Sequence, residues 1–164
     1  LEDWDLDRMA QEIDSAGQAI EQLLGLAPRT FAYPCGQKFV GRGTGVRSYV
    51  PLIARRFAAG RGWLDEGPND PRFCDLSQLF GLELDGLTFE SARQLIDNAA
   101  EQGAWLVFCG HDVGDPARQT VRADTLEQIC RHYGGTDSPV WIDTVERIAT
   151  HIEKNRQDAA FQGK

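Results

Sequence analysis

The sequence predicts an α/β protein with a largely parallel sheet. Helical and strand-like segments alternate along its 164 residues, and this alternation is typical of helices packed on parallel strands. The run 104–109 is apolar throughout and has the length of a strand, as expected where both faces of the strand are covered. Neither an internal repeat nor a linker-like stretch interrupts the order, so we expect one folding unit.

The first predicted helix covers residues 5–24. Its apolar side chains recur about every 3.6 residues, and Gly25 follows as a helix end. These side chains are Met9, Ile13, Ala16, Ile20 and Leu23 or Leu24. A short buried strand is predicted at 30–33, where Pro34 and Gly36 end it.

The next segments combine loops with one short helix. Residues 41–45 contain three glycines and predict a loop. A helix is expected at about 46–56, with Pro51 in its first turn or at a kink. Residues 60–71 have the density of Gly, Pro, Asn and Asp that is typical of a loop.

Three further helices and two strands complete the predicted order. Thr88 is the expected N-cap of a helix over 88–102, and Gly103 ends it. Asp143 is the expected cap of the last helix. The remaining segments are strand 104–109, helix 124–133, strand 139–142 and helix 144–154. Residues 155–164 are polar and are expected to form a frayed tail beyond a domain over 1–154.

Composition disfavours two classes of partner. The chain has 17 Lys+Arg against 25 Asp+Glu, a net charge of −8, whereas a protein that binds the nucleic-acid backbone needs a surplus of basic residues. No apolar run reaches the roughly 18 residues that a membrane span requires. We therefore expect neither nucleic-acid binding nor a membrane span.

The cysteines indicate no structural metal site. Cys35, Cys74, Cys109 and Cys130 lie far apart and lack the C-x-x-C spacing of structural zinc sites. An even number permits two disulfides, but a chain of this length can build its core without them, so we expect reduced thiols.

Functional groups of parallel sheets gather at the carboxyl ends of strands, and this rule selects two segments, 33–36 and 109–114. His111 directly follows the apolar strand and has the neutral-range chemistry of a proton donor or acceptor. The structural alternative is a histidine that only satisfies hydrogen bonds at the strand end. Cys109, two residues earlier, raises a second alternative, a thiolate–imidazole pair.

Other candidate positions are less specific. The backbone N–H groups of the turn Tyr33-Pro34-Cys35-Gly36 could hold a developing oxyanion. The stretch from Gln22 to Leu64 contains seven basic residues and no acidic one, which favours an anionic ligand or a solvated face. His132 and His151 are expected near the ends of helices, where an imidazolium favours the helix dipole. Trp63, Asp75, Asp85 and Asp112 are candidates for a substrate groove.

Three segments together resemble the polysaccharide deacetylase family, the NodB-homology carbohydrate esterases. They are Ala27-Pro-Arg-Thr-Phe-Ala-Tyr-Pro-Cys-Gly-Gln37, Trp105-Leu-Val-Phe-Cys-Gly-His-Asp-Val-Gly114 and Val140-Trp-Ile-Asp-Thr-Val-Glu-Arg-Ile-Ala-Thr-His-Ile152. The resemblance covers about residues 1–154 in the family's order. It implies a partial distorted (β/α) barrel and the removal of acetyl groups from N- or O-acetylated sugars.

The same resemblance implies roles for individual residues. His111 matches the histidine that acts as general acid towards the leaving amine or alcohol. Cys35 stands where the backbone N–H of the family's residue helps to bind the oxyanion. Members of the polysaccharide deacetylase family are often exported or face the cell envelope, so the resemblance implies the same location for this protein.

The family's metal ligands have no counterpart in this sequence. The family holds a divalent metal, usually zinc, with an Asp-Asp motif and a His-x-x-x-His motif that precede a helix like 5–24. Neither motif occurs here, so we expect no metal ligands in this chain and place them upstream of Leu1. The expected function is the C-terminal part of a metal-dependent deacetylase for acetylated polysaccharides, inactive by itself. Two alternatives remain: a non-catalytic glycan- or protein-binding member, and a cysteine hydrolase that uses Cys109 or Cys35.

Overall fold

A computed structural model describes residues 1–65 and 67–162 of the chain. The chain divides into two compact units, where the sequence predicts one. Unit 1 comprises Leu1–Gly62 and Asp75–Leu79, and unit 2 comprises Trp63–Cys74 and Phe80–Lys164. Each unit therefore takes a piece of the loop-rich middle of the chain.

Helix α1 of unit 1 spans Leu6–Leu24. Asp5 caps it, because its side chain accepts the Arg8 N–H at 2.8 Å, and Gly25 ends it in the left-handed region at φ 70°. Met9 and Ile13 are the buried residues of α1. They pack in an apolar cluster with Tyr33, Val40, Tyr49 and Ile53. The apolar spacing in the sequence is thus confirmed for the first half of the helix.

The strands of unit 1 are short and form two pairs. Strand β1 (Thr30–Ala32) is parallel to β4 (Ala59–Arg61), and β2 (Phe39–Val40) is antiparallel to β3 (Arg47–Ser48). Helix α2 spans Val50–Arg56, so it begins four residues later than predicted. Pro51 lies in its first turn, where its missing N–H has no helical partner to lose.

Unit 2 carries the remaining helices and strands. Its strands are β5 (Leu82–Glu83), β6 (Phe108–Cys109), β7 (Asp112–Gly114) and β8 (Thr120–Arg122). β5 is parallel to β6, and β7 is parallel to β8. The helices are α3 (Phe89–Glu101), α4 (Ala123–Tyr133) and α5 (Val145–Gln162). Leu84, Ala92, Ile96, Val121, Ile129 and Tyr133 form its apolar core.

The general class of the fold agrees with the sequence, but the sheets are less extensive than predicted. Among the described residues, three of the four strand pairs are parallel, which confirms an α/β protein with parallel pairing. Each sheet of residues 1–65 and 67–162 has two strands, and these strands close no barrel. The run 104–109 is a strand only at Phe108–Cys109, with a further bridge from Trp105 to Asn69.

Several predicted boundaries prove wrong at the end of the chain. Residues 139–142 form no strand, because they pair with no neighbouring strand among the described residues. Thr144 and not Asp143 caps α5: its hydroxyl accepts the Arg147 N–H at 3.3 Å. Helix α5 continues to Gln162, so residues 155–162 of the predicted tail are helical. Residues 163 and 164 lie outside the described residues.

Two further features of the fold bear on function. The four cysteines lie within the described residues and form no disulfide. In that same part of the chain, no helix has both the length and the apolar character needed to cross a membrane.

Candidate functional site

The candidate site lies where β5 and β6 of unit 2 end. Asp85 comes two residues after the last residue of β5, and His111 comes two residues after the last residue of β6. The two strands are parallel, with Glu83 in register with Cys109. Asp85 and His111 each follow a paired residue by two positions, so their side chains lie at the same edge of the sheet. The structure therefore joins the predicted catalytic residue His111 to Asp85, which the sequence suggests only as a groove residue.

Asp85 binds His111 through both oxygens of its carboxylate. Oδ1 accepts the backbone N–H of His111 at 3.1 Å, and Oδ2 lies 2.5 Å from ring Nδ1. A carboxylate can only accept hydrogen bonds, so Nδ1 carries the hydrogen and Nε2 can accept one. The Asp85 side chain is 5% exposed and that of His111 is 42% exposed. The acid is thus shielded while the imidazole remains accessible.

Gly110 makes this contact sterically possible. A Cβ atom at residue 110 would lie 2.2 Å from Cγ2 of Val121 and 3.1 Å from Oδ1 of Asp85. Val121 is a buried residue of β8. Any side chain at position 110 would therefore collide with the Val121 side chain and crowd the carboxylate of Asp85.

Two other side chains of unit 2 surround the imidazole. The Trp63 ring meets it edge to face, with 5.4 Å between centroids and an interplanar angle of 80°. Gln119 Nε2 lies 3.4 Å from His111 Nε2, and the Gln119 carbonyl accepts the Asp112 N–H at 3.2 Å. Trp63 Nε1 is buried and has no hydrogen-bond partner among the described residues. The imidazole of His111 thus lies beside the Trp63 ring, and its Nε2 faces the side-chain amide of Gln119.

The other two proposed groove residues, Asp112 and Asp75, lie at different places in the fold. Asp112 is exposed and begins β7. Asp75 belongs to unit 1, where its carboxylate accepts the Ser77 N–H at 2.9 Å and caps a short 3₁₀ turn. Of the four predicted groove residues, the structure brings Trp63 and Asp85 into contact with His111.

The predicted oxyanion turn lies in unit 1. Tyr33 is buried, and its hydroxyl donates to the Ser77 carbonyl at 2.7 Å, so its phenol serves the core of that unit. Pro34, Cys35 and Gly36 form a 3₁₀ turn in which Cys35 has a positive φ of 51°. The Gly36 N–H already donates to the Tyr33 carbonyl at 2.9 Å. That N–H is therefore occupied within the turn.

The cysteine alternatives gain no support from the geometry. Cys109 is 4% exposed in β6, so a thiolate there would not face a substrate. The ring nitrogens of His111 contact Asp85 and Gln119. Cys35 is exposed and belongs to the other unit.

Three of the seven basic residues between Gln22 and Leu64 contact acidic groups or a ring of unit 1. Arg42 pairs with Glu2 and Asp3, and Arg56 pairs with Asp14. The Arg56 guanidinium holds the pKa of Asp14 below its usual range. Lys38 lies over the Tyr33 ring at 5.8 Å from its centroid. These contacts favour the interpretation of the basic stretch as a solvated face over that of a site for an anionic ligand.

His132 and His151 take part in aromatic contacts on helices. His132 lies in the last turn of α4, as predicted, between Phe89 and Tyr133. His151 lies in the middle of α5, because that helix continues further than predicted, and it contacts Trp141.

The described residues do not fit a zinc centre. A hydrolytic zinc site needs three protein ligands, and among residues 1–65 and 67–162 no group of three His, Cys, Asp or Glu side chains could hold a metal ion. Both carboxylate oxygens of Asp85 are already engaged by His111.

Comparisons with family models, curated proteins and solved structures give no match to this chain.

Proposed function

We propose that this chain supplies the acid–base group of a hydrolase that removes N- or O-acetyl groups from a polysaccharide or other glycan. The observation that carries the proposal is the Asp85–His111 pair at the ends of two parallel strands. Its arrangement resembles the carboxylate–imidazole pairs by which hydrolases deliver and accept protons. The three sequence segments that resemble the polysaccharide deacetylases supply the substrate class and the NodB-type barrel as part of the same proposal.

The proposed step assigns one proton to His111. Water adds to the acetyl carbonyl, and the bond from that carbon to the sugar nitrogen or oxygen breaks. Protonated Nε2 of His111 gives its hydrogen to the leaving nitrogen or oxygen, while Nδ1 keeps its hydrogen bond to Asp85. One proton of the water restores the imidazolium. The products are the free amine or hydroxyl and acetic acid, which ionises to acetate by losing its proton to the amine or to solvent.

Asp85 is a positioning residue in this step. Its carboxylate holds the ring through Nδ1 and the backbone through the His111 N–H. Its negative charge, which is shielded from solvent, stabilises the imidazolium. The Trp63 ring contacts the imidazole edge to face and helps to hold its orientation.

Acetate release tests the proposal. The protein expressed from its complete natural reading frame should release acetate from acetylated oligosaccharides. His111→Ala should lower kcat/KM by roughly 10²- to 10⁴-fold, the usual contribution of a general acid. His151→Ala is the matched control, because its ring is exposed on α5 and contacts Trp141.

An active deacetylase whose rate is unchanged by His111→Ala would overturn the assignment of the acid. Absence of acetate release combined with glycan binding would favour the non-catalytic alternative. Trp63→Ala should weaken glycan binding in that case, because Trp63 is the aromatic side chain beside His111.

A further inference from the structure

We infer that the side chain of Gln119 is a gate on His111: it covers Nε2 in the resting chain and leaves when a substrate binds. The observation behind the inference is the distance of 3.4 Å between the amide nitrogen of Gln119 and Nε2 of His111. The catalytic consequence of the gate rests on the proposed function. The nitrogen that delivers the proton in that function is already bound by a group of its own chain.

Gln119 and a leaving group compete for one position. Asp85 fixes the hydrogen of the neutral ring on Nδ1 of His111, so Nε2 accepts a hydrogen bond and the amide of Gln119 donates it. In the plane of the ring, Nε2 has either one lone pair or one hydrogen. A leaving nitrogen or oxygen must come within about 2.6–3.2 Å of Nε2 to receive its proton. The amide of Gln119 therefore has to leave before the leaving group can arrive.

The contact has two properties that suit a gate. At 3.4 Å it is longer than a usual hydrogen bond, so it is easily exchanged for a better one. The carboxamide has both an N–H donor and a carbonyl acceptor, so it can turn and accept the Nε2 hydrogen of the imidazolium. Gln119 is exposed, which gives its side chain room to move away. The amide thus covers the ring in either protonation state until a substrate displaces it.

The backbone of Gln119 indicates that its side chain has a use. Gln119 has a positive φ of 54°, a conformation that glycine and asparagine adopt more readily. Its carbonyl accepts the N–H of Asp112, the residue after His111, at 3.2 Å, and the next residue, Thr120, is buried at the start of β8. These neighbours hold Gln119 beside the imidazole. A strained residue that reaches a reactive group is typical of a functional position, whereas a turn without a function favours glycine.

Chemical modification of the ring tests the gate without an assay of activity. Diethyl pyrocarbonate reacts with accessible, unprotonated imidazole nitrogens, and peptide mass spectrometry assigns the modified histidine. Gln119→Ala should speed the modification of His111 by about two- to tenfold, the factor that corresponds to one ordinary hydrogen bond. Asn155→Ala is the matched control. The Asn155 amide lies 3.0 Å from Nε2 of His151 on α5, so its loss removes a similar contact and should leave the rate at His111 unchanged.

Two further variants separate the reach of the amide from the conformation of the backbone. Gln119→Asn keeps an amide and suits a positive φ, but it is one methylene shorter and should speed the modification of His111 as Gln119→Ala does. Gln119→Gly should do the same. It should unfold at the same or a higher urea concentration than the natural chain, because glycine adopts a positive φ without strain. An unchanged rate at His111 in these variants, or a less stable Gln119→Gly, would overturn the gate.

Acetate release tests the catalytic consequence in the protein expressed from its complete natural reading frame. Gln119→Ala should raise kcat/KM for acetylated oligosaccharides by about two- to tenfold, mainly through a lower KM, because the substrate no longer displaces the amide. A fall in kcat/KM would show that Gln119 assists the reaction and would overturn the gate. If the natural protein releases no acetate, the proposed function fails, and faster modification of His111 in Gln119→Ala still supports Gln119 as the cover of Nε2.

Discussion

Asp85 holds the imidazole of His111 and the backbone N–H of the same residue with its two carboxylate oxygens. The two residues are 26 positions apart in the chain. They meet because both follow parallel strands by two residues. This relationship turns a histidine at a strand end into an oriented acid–base group, and it leads to the first prediction.

Asp85→Asn should release the ring of His111. An amide can donate as well as accept, so it no longer requires the hydrogen at Nδ1. Nitrogen-resolved NMR of the imidazole should show the Nδ1–H tautomer in the natural chain and a mixture of tautomers in Asp85→Asn. Asp112→Asn, at the exposed next residue, is the control and should leave the signals unchanged. An identical tautomer in Asp85→Asn would contradict the role assigned to Asp85.

Gly110→Ala should destabilise unit 2 by about 1–3 kcal/mol, the usual cost of overpacking a core. The added methyl would overlap Cγ2 of Val121, which is buried. Val121→Ala removes that methyl, so the double variant should lose less stability than the sum of the two single variants. Urea unfolding followed by fluorescence measures each free energy.

The control for this cycle is Gly114→Ala, because no atom lies within 4 Å of a Cβ at residue 114. Its effect on the free energy of unfolding should be small. If Gly110→Ala were as stable as Gly114→Ala, close approach at residue 110 would not limit the site.

Asn69 should be essential for the stability of unit 2. It is 3% exposed, and its side-chain amide donates to the carbonyls of Phe80 and Trp105 at 3.1 and 3.2 Å while its oxygen accepts the Phe80 N–H at 2.8 Å. Asn69→Ala leaves these buried groups unpaired and should cost about 2–4 kcal/mol in urea unfolding. Asn98→Ala, at an exposed position of α3, should change stability by less than about 1 kcal/mol.

Tyr133 should make unit 2 less stable at alkaline pH. Burial and a hydrogen bond to Asp97 at 2.5 Å raise the pKa of Tyr133 to about 12, above its ordinary value of 10.0. Between these two values the unfolded chain has lost the phenolic proton and the folded chain retains it. The free energy of unfolding therefore falls as pH rises from about 10 to about 12.

Tyr133→Phe should reduce this alkaline loss without abolishing it. Tyr49 keeps its contribution in unit 1, where burial raises its pKa to about 12 as well. Denaturant unfolding at neutral and alkaline pH measures the difference, and tyrosinate absorbance reports ionisation. An unchanged pH dependence in Tyr133→Phe would show that the phenol ionises equally in the folded and unfolded chain.

The helices were the part of the fold that the sequence predicted best. The apolar spacing and the capping residues place α1, α3 and α4 within one or two residues of their observed ends. Thr88 caps α3 as predicted, with its hydroxyl 3.3 Å from the Ser91 N–H. These signals are local, because a helix closes its own hydrogen bonds within four residues. Helix α5 ran on past its predicted end, since polar residues such as Lys154 and Gln157 have a high helix propensity and lie on an exposed face.

The strands were predicted less well, because a strand depends on its neighbours. The apolar runs 104–109 and 139–142 look alike in sequence. The first contains the two-residue strand β6, which pairs with β5, and the second pairs with no strand among the described residues. Among the described residues, β1 and β6 lie within predicted strands. The other six, β2, β3, β4, β5, β7 and β8, were not predicted, because their two or three residues carry little local signal.

The sequence alone determined the α/β class, most of the helices and the position of His111 at the end of an apolar strand, since these depend on local spacing and on burial of apolar side chains. Tertiary structure decided that Asp85 is the partner of His111, that Gly110 must be free of a side chain, and that Tyr33 is buried in the core of unit 1. These depend on pairing between distant segments, whose register no local pattern encodes. A useful signal was present in the equal two-residue distance from β5 to Asp85 and from β6 to His111, but it becomes informative only once the two strands are known to pair.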